Sequence, residues 1–361
     1  MPFAVLLRPL LVLSISLLAA CDPATETRAA PRAARSTERP AAAVSAVSDS
    51  VLLAEAVRRA EALPRLRGMI VAREGEIVEE RYWRGAAADR RTNVKSVSKS
   101  VLALLVGIAV AEGEVRLDQP VAELLPEHFG ARADPRKRAI TLEHLVSMRS
   151  GLESTSFSDY GAWVSSPNWV RYQVERPMVD HPGGRMIYST GSSHLLSAAL
   201  TRATGMSTYE YARRKLAQPL GIDLRPWQRD PQGIYFGGNE MRLTPRDMLR
   251  IGELFRNGGR HGGAQVVPKA WIEASTRPLG TSPWNGHRYG YGWWIKEARG
   301  HPVYFAWGYG GQYVFVVPGL ALTAVFVSEA DGPRTSGHLG AIHALLDDYL
   351  VPAAEAAAAR G

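Results

Sequence analysis

The sequence predicts an α/β fold of the α+β kind: an antiparallel sheet flanked by helices, with an all-α lobe inserted into it. Three observations carry this. Strand-like alternation is found near residues 68–82 and again from about residue 289, helical patterns and loops fill most of the interval, and helical patterns open and close the folded part. At 361 residues, 46% apolar and 22% charged, the chain can bury a large core as one compact unit of two subdomains.

The N-terminal 21 residues read as a targeting segment. Arg8 precedes the apolar run 10–18, which is too short to span a bilayer and suits a signal h-region. It ends in Leu18-Ala19-Ala20-Cys21, which resembles the lipobox of bacterial lipoproteins, with Cys21 as the lipidated residue. A plain cleaved signal with an incidental cysteine is the alternative. Asp22 resembles the signal that keeps some such lipoproteins in the inner membrane. The expectation is a lipid-anchored protein on the periplasmic side of a bacterial membrane. Cys21 is the only cysteine, so an internal disulfide is excluded and no Cys–His metal site is expected. Residues 22–49 are Ala, Pro, Arg, Thr and Ser with almost no large apolar side chain, which reads as a flexible tether.

Folded sequence is expected over residues 50–352, with an α/β part at 50–115 and 236–352 and a helical lobe at 116–235. A helical pattern begins at Val51, and residues 68–72 and 76–82 form a hairpin turned by Arg73-Glu74-Gly75. A long apolar helix follows and stops near Glu112-Gly113, a glycine stop signal. The lobe reads as helices and loops, for example at 142–148 and 192–200. After a helix near 246–256, strand-like runs appear at 289–296, at 302–307 with 312–317, and at 320–327. An amphipathic helix at 337–350 closes the fold.

The candidate chemistry lies at the start of the apolar helix, in Ser96-Val97-Ser98-Lys99. Residues three apart share a helix face, so both side chains can point into one pocket. A serine hydroxyl needs a base to become a nucleophile, and a desolvated lysine can be that base. The N–H groups and dipole of the helix start also favour an oxyanion there. Taken alone the tetrapeptide is a weak signal: a polar cap on a buried helix, with Lys99 snorkelling to solvent, would look the same.

Charge and motifs exclude other classes. The net charge of +8 and pI near 9.7 come mainly from arginines spread along the chain, without a long basic block, so no nucleic-acid partner is expected. There is no Gly-x-Ser-x-Gly elbow, no His-Glu-x-x-His and no P-loop. The run Gly258-Gly259-Arg260-His261-Gly262-Gly263 reads as a surface turn. Trp163 and Trp169 either wall an apolar acyl pocket or belong to the core.

The Ser-x-x-Lys helix, the helical insert and a glycine motif on a later strand together resemble the serine β-lactamase and penicillin-binding protein superfamily. The branch most similar holds class C β-lactamases, β-lactamase-fold esterases and 6-aminohexanoate-dimer hydrolases. The resemblance covers about residues 50 to 350. It rests also on the stretch Ile140 to Leu152, on Pro182-Gly183-Gly184-Arg185-Met186-Ile187-Tyr188-Ser189-Thr190, and on Leu243-Thr244-Pro245-Arg246-Asp247-Met248. It implies a β-lactamase/transpeptidase-like fold with catalytic Ser96, Lys99 and Tyr188, the last matching the tyrosine of the family's Tyr-x-Asn element. A phenol beside a lysine ammonium is expected to ionise more easily, so the pair could shuttle the serine proton to the leaving group.

Two positions depart from the β-lactamase pattern. Thr190 stands where asparagine would meet a substrate amide, and Ala306-Trp307-Gly308 stands where Lys-Thr-Gly would supply a lysine for a substrate carboxylate. Thr190, Trp307, Gly308 and Tyr309 are the expected substrate and oxyanion residues, with the N–H of Tyr309 joining that of Ser96. The expected activity is serine hydrolysis of an amide or ester in a small molecule or short peptide, through an acyl-enzyme and with no cofactor. A peptidoglycan D,D-carboxypeptidase or D-aminopeptidase, a β-lactamase, and an inactive lipoprotein that binds cell-wall fragments are the alternatives.

Overall fold

The computed structural model describes residues 48–130, 134–331 and 336–360. The signal-like segment, Cys21 and nearly all of the predicted tether lie outside these residues. The described residues fall in one compact unit. Its centre is an eight-stranded antiparallel sheet in the order β2-β1-β8-β7-β6-β5-β4-β3. The strands are β1 Leu66–Arg73, β2 Glu76–Tyr82, β3 Gly280–Thr281, β4 Arg288–Tyr289, β5 Trp294–Ala298, β6 His301–Gly308, β7 Gln312–Val317 and β8 Leu322–Ser328. The sequence-distant halves join where β1 pairs β8, with Ile70 opposite Val325.

Strand alternation sorts the apolar side chains onto two faces. Met69, Val71, Phe315 and Phe326 face one core with Ala56 and Ala60 of the N-terminal helix and Ile342 and Leu346 of the C-terminal one. Ile70, Ala72, Val314, Val316 and Val325 face the other, where the apolar helix Val97–Ala111 packs. Thirteen consecutive residues of that helix, Val97 to Ala109, are buried, as expected of a helix apolar on every side. A side chain at Gly107 would collide with the Trp271 ring, 2.3 Å away, so glycine sets how closely the helix docks.

Between residues 116 and 235 no described residue joins the sheet; this stretch contributes short helices and the longer Thr190–Thr204. Trp163 and Trp169 are fully buried there and belong to the core. No helix among the described residues is long and apolar enough to cross a membrane.

Three boundaries differ from the sequence reading. The N-terminal helix Asp49–Glu61 starts inside the predicted tether, because Ser48 caps it by accepting from the Val51 N–H. The run 289–296 is broken between β4 and β5, because Gly292 turns with φ +74 against the apolar helix. A Cβ at Gly292 would lie 2.4 Å from that of Ala103, and its carbonyl accepts from the Ser100 hydroxyl at 2.6 Å. The closing helix His338–Leu345 continues through a π-type turn into Val351–Ala358, and Pro352, which has no N–H to give to the preceding turn, falls just after that irregular turn.

Candidate active site

Ser96 sits immediately before the first residue of the apolar helix, and Lys99 one turn along. Lys95, just before the serine, adopts φ +51, a left-handed conformation costly for a residue with a side chain. Local bonds hold it there. Its N–H donates to Asn93 Oδ1 at 2.9 Å, its carbonyl accepts from Ser98 Oγ at 2.7 Å, and its ammonium meets Asp331 at 3.1 Å. The turn thereby delivers Ser96 to the mouth of a pocket.

Lys99 is 4% exposed, and its Nζ donates to Ser96 Oγ at 3.0 Å and to the Gly238 carbonyl at 2.8 Å. Neither acceptor carries a charge to offset the loss of water, so burial pulls its pKa down to about 7. The amine is therefore a competent base near neutral pH. Deprotonated, Nζ can accept the Ser96 proton while still donating to Gly238.

Tyr188 closes the other side. Lys99 Nζ lies 5.1 Å from the centre of its ring, which stacks on Trp294 at 5.7 Å. Burial raises the phenol's pKa well above the ordinary tyrosine value, and a hydrogen bond with Ser96 only partly offsets this. The expectation of an easily ionised tyrosine is thus reversed. The lysine lies over the ring face, and desolvation dominates. Near neutral pH the pair is a neutral phenol beside a lysine that can lose its proton.

The pocket has a volume of about 390 Å³, and six aromatic side chains surround Ser96: Phe157, Tyr188, Trp284, Trp294, Trp307 and Tyr309. No lining residue is charged. Phe157 and Trp284 meet edge to face at 4.9 Å and are 67% and 52% exposed, so they form an apolar rim. Trp307 pairs with Tyr313 one residue before the ladder of β6 ends at Gly308, and Tyr309 stands on the turn into β7. A side chain at Gly308 would come within 2.2 Å of the Val94 carbonyl. Glycine there lets β6 close onto the segment that leads into Ser96. Among the described residues no group of His, Cys, Asp and Glu is placed to hold a metal ion.

Over residues 53–348 the chain matches the profile of the family described as Beta-lactamase. The chain belongs to the beta-lactamase family. It is 27% identical over 222 residues to a 6-aminohexanoate-dimer hydrolase of Paenarthrobacter ureafaciens, covering 57% of this chain and 55% of that protein. It is 28% identical over 237 residues to Esterase EstB of Burkholderia gladioli, covering 58% and 59%. The chain thus spans a little over half the length of these relatives. In structure it is similar to EstCE1, described as a hydrolase with promiscuous acyltransferase activity, with a TM-score of 0.69 at 18% identity over 85% of this chain and 98% of that one.

Within this beta-lactamase-family site, Ser96, Lys99, Tyr188, Trp307 and Tyr309 come together, and Gly308 supports them from the strand. Thr190 does not join them. It is buried in the first turn of the helix Thr190–Thr204, its hydroxyl 2.8 Å from Ser156 Oγ and its N–H donating to the same oxygen at 2.9 Å. The short hydroxyl is spent inside the lobe and does not line the pocket. The sequence reading missed Gly238, Phe157, Trp284 and Trp294. The glycine could have been sought as a φ-positive position, but exposed loop aromatics carry no periodic signal.

Proposed function

We propose that this protein is a serine hydrolase that cleaves esters or amides of uncharged, apolar acyl groups through an acyl-enzyme on Ser96. The observation that carries the reading is a buried Lys99 amine 3.0 Å from Ser96 at the base of an aromatic pocket with no charged lining residue. Ser96 Oγ attacks the substrate carbonyl carbon as its proton passes to Lys99 Nζ. The N–H groups of Ser96 and Tyr309 receive the developing oxyanion. When the C–O or C–N bond breaks, the proton reaches the departing alcohol or amine through Tyr188. Water then attacks the acyl-enzyme by the same route in reverse.

An acyl group can displace water from the aromatic walls, whereas a β-lactam carboxylate would meet no cation in the lining. We expect kcat/KM for p-nitrophenyl butyrate or a linear aminoacyl amide to exceed that for nitrocefin by at least about tenfold, about 1.4 kcal/mol of transition-state binding. Nitrocefin turnover equal to the esters would overturn the substrate assignment and favour β-lactamase activity.

We propose further that the domain lies on the periplasmic side of a membrane, held by a lipid on Cys21; the lipobox-like Leu18-Ala19-Ala20-Cys21 supports this, and Asp22 favours the inner membrane. Cys21→Ser should release the protein from the membrane fraction, because the lipid would be the attachment left once the signal is cleaved, and no helix among the described residues is long and apolar enough to cross a membrane. Unchanged attachment of the variant would refute the lipid anchor.

A further inference from the structure

A fully buried imidazole–carboxylate pair lies behind the site. His194 Nε2 is 3.0 Å from Asp230 Oδ2, and neither side chain reaches solvent. Asp230 Oδ1 accepts from the N–H groups of Gln232 at 2.9 Å and Ile234 at 2.8 Å, a pattern suited to a carboxylate. On the far side of the ring, His194 Nδ1 accepts from the Gly237 N–H at 3.3 Å. With Nδ1 accepting, the ring proton sits on Nε2 and is donated to Asp230. Trp163, Trp169 and Phe236 enclose the imidazole, with ring centres 5.9, 5.4 and 6.1 Å away.

The next residue after Gly237 is Gly238, whose carbonyl holds Lys99 Nζ. Both glycines are pressed against their surroundings. A Cβ at Gly237 would lie 2.4 Å from the Ser193 carbonyl, and one at Gly238 would lie 2.9 Å from Lys99 Cγ, with φ at +122. Such a backbone conformation is held by its surroundings and not by local preference. Stability alone is a weak reason to bury this pair, since taking a carboxylate out of water is costly even when it is hydrogen-bonded. Fixing a geometry is the stronger reason.

We propose that His194 and Asp230 are positioning residues for the catalytic lysine: they anchor the Gly237–Gly238 turn whose carbonyl keeps Lys99 Nζ beside Ser96. The inference rests on Ser96 being the nucleophile and goes beyond it by assigning a chain of bonds from Asp230 through His194 and Gly237 to Lys99. Neither residue touches the pocket. Besides His194, Asp230 acts electrostatically on the imidazole of His128. Lys99 itself faces Ser96, Gly238 and the Tyr188 ring.

The test is the rate and pH dependence of fluorophosphonate labelling at Ser96 in the full chain, with thermal stability measured alongside. Asp230→Asn keeps the shape and the two backbone contacts but turns a donor toward His194, which forces the wrong tautomer. Asp230→Asn and His194→Ala should each slow labelling by at least about tenfold, the effect of one lost positioning bond. The pH midpoint should move down, because a displaced Gly238 carbonyl no longer favours the ammonium. His194→Gln should recover most of the rate, since its amide can accept from Gly237 and donate to Asp230. If His194→Ala does not fold, the near-isosteric Asp230→Asn decides. Parent-like rate and midpoint in folded Asp230→Asn overturn the inference while leaving the nucleophile in place. Absence of Ser96 labelling in the parent protein overturns the reading of the site, and this inference with it.

Discussion

Ser96→Ala should abolish covalent labelling by a fluorophosphonate probe, and Lys99→Ala should slow it by at least about a thousandfold, the range expected when a nucleophile's general base is removed. Intact mass and peptide mapping would read both outcomes, with one adduct expected on the Ser96 peptide in the parent protein. The lysine effect should be large because, among the described residues, no other charged side chain lines the pocket. Its Nζ contacts Ser96 Oγ directly, and Tyr188 is held as a neutral phenol. The pH dependence gives an independent check. Only neutral lysine can accept the serine proton, so labelling should rise as pH passes upward through about 7, where burial has brought the Lys99 pKa. An ordinary lysine, with a pKa near 10.4, would leave only about one molecule in 2,500 active at neutral pH. A labelling rate flat from about pH 6 to about pH 9, or labelling of another residue, would refute the lysine-activated serine.

What could be read in the sequence was local or ordered. Ser96 and Lys99 share a helix face by periodicity alone, and strand alternation located β1, β2, β6, β7 and β8 to within two residues. The order of the motifs supplied the family. What could not be read depends on distant parts of the chain. The Gly238 carbonyl stands 139 positions from the lysine it holds, and His194 lies 36 from Asp230. The left-handed turn at Lys95 carries no glycine to announce it; side-chain and backbone bonds from Asn93 and Ser98 impose it. The ionisation of Tyr188 was misjudged for a similar reason. Sequence shows which charge can be near a phenol, but only packing shows that the phenol is largely buried and that the lysine Nζ lies over its ring face.

That neutral phenol leads to the other large effect. Tyr188→Phe should cut kcat/KM for a linear amide by about a hundredfold or more, while p-nitrophenyl butyrate loses no more than about tenfold. The split follows from the leaving groups. An amine cannot depart from the tetrahedral intermediate without a proton, whereas p-nitrophenolate leaves as a stable anion. Tyr188 is suited to carry that proton, because burial keeps it protonated at neutral pH and its hydroxyl meets Ser96. The substitution removes one oxygen and leaves the ring's packing on Trp294 and Trp284, so a purely structural tyrosine would lose little with either substrate. Had Tyr188 served as the base for Ser96, both substrates would suffer alike, because acylation begins the same way for each. Equal losses would therefore move the base from Lys99 to Tyr188, and unchanged turnover of the amide would return the tyrosine to the pocket wall.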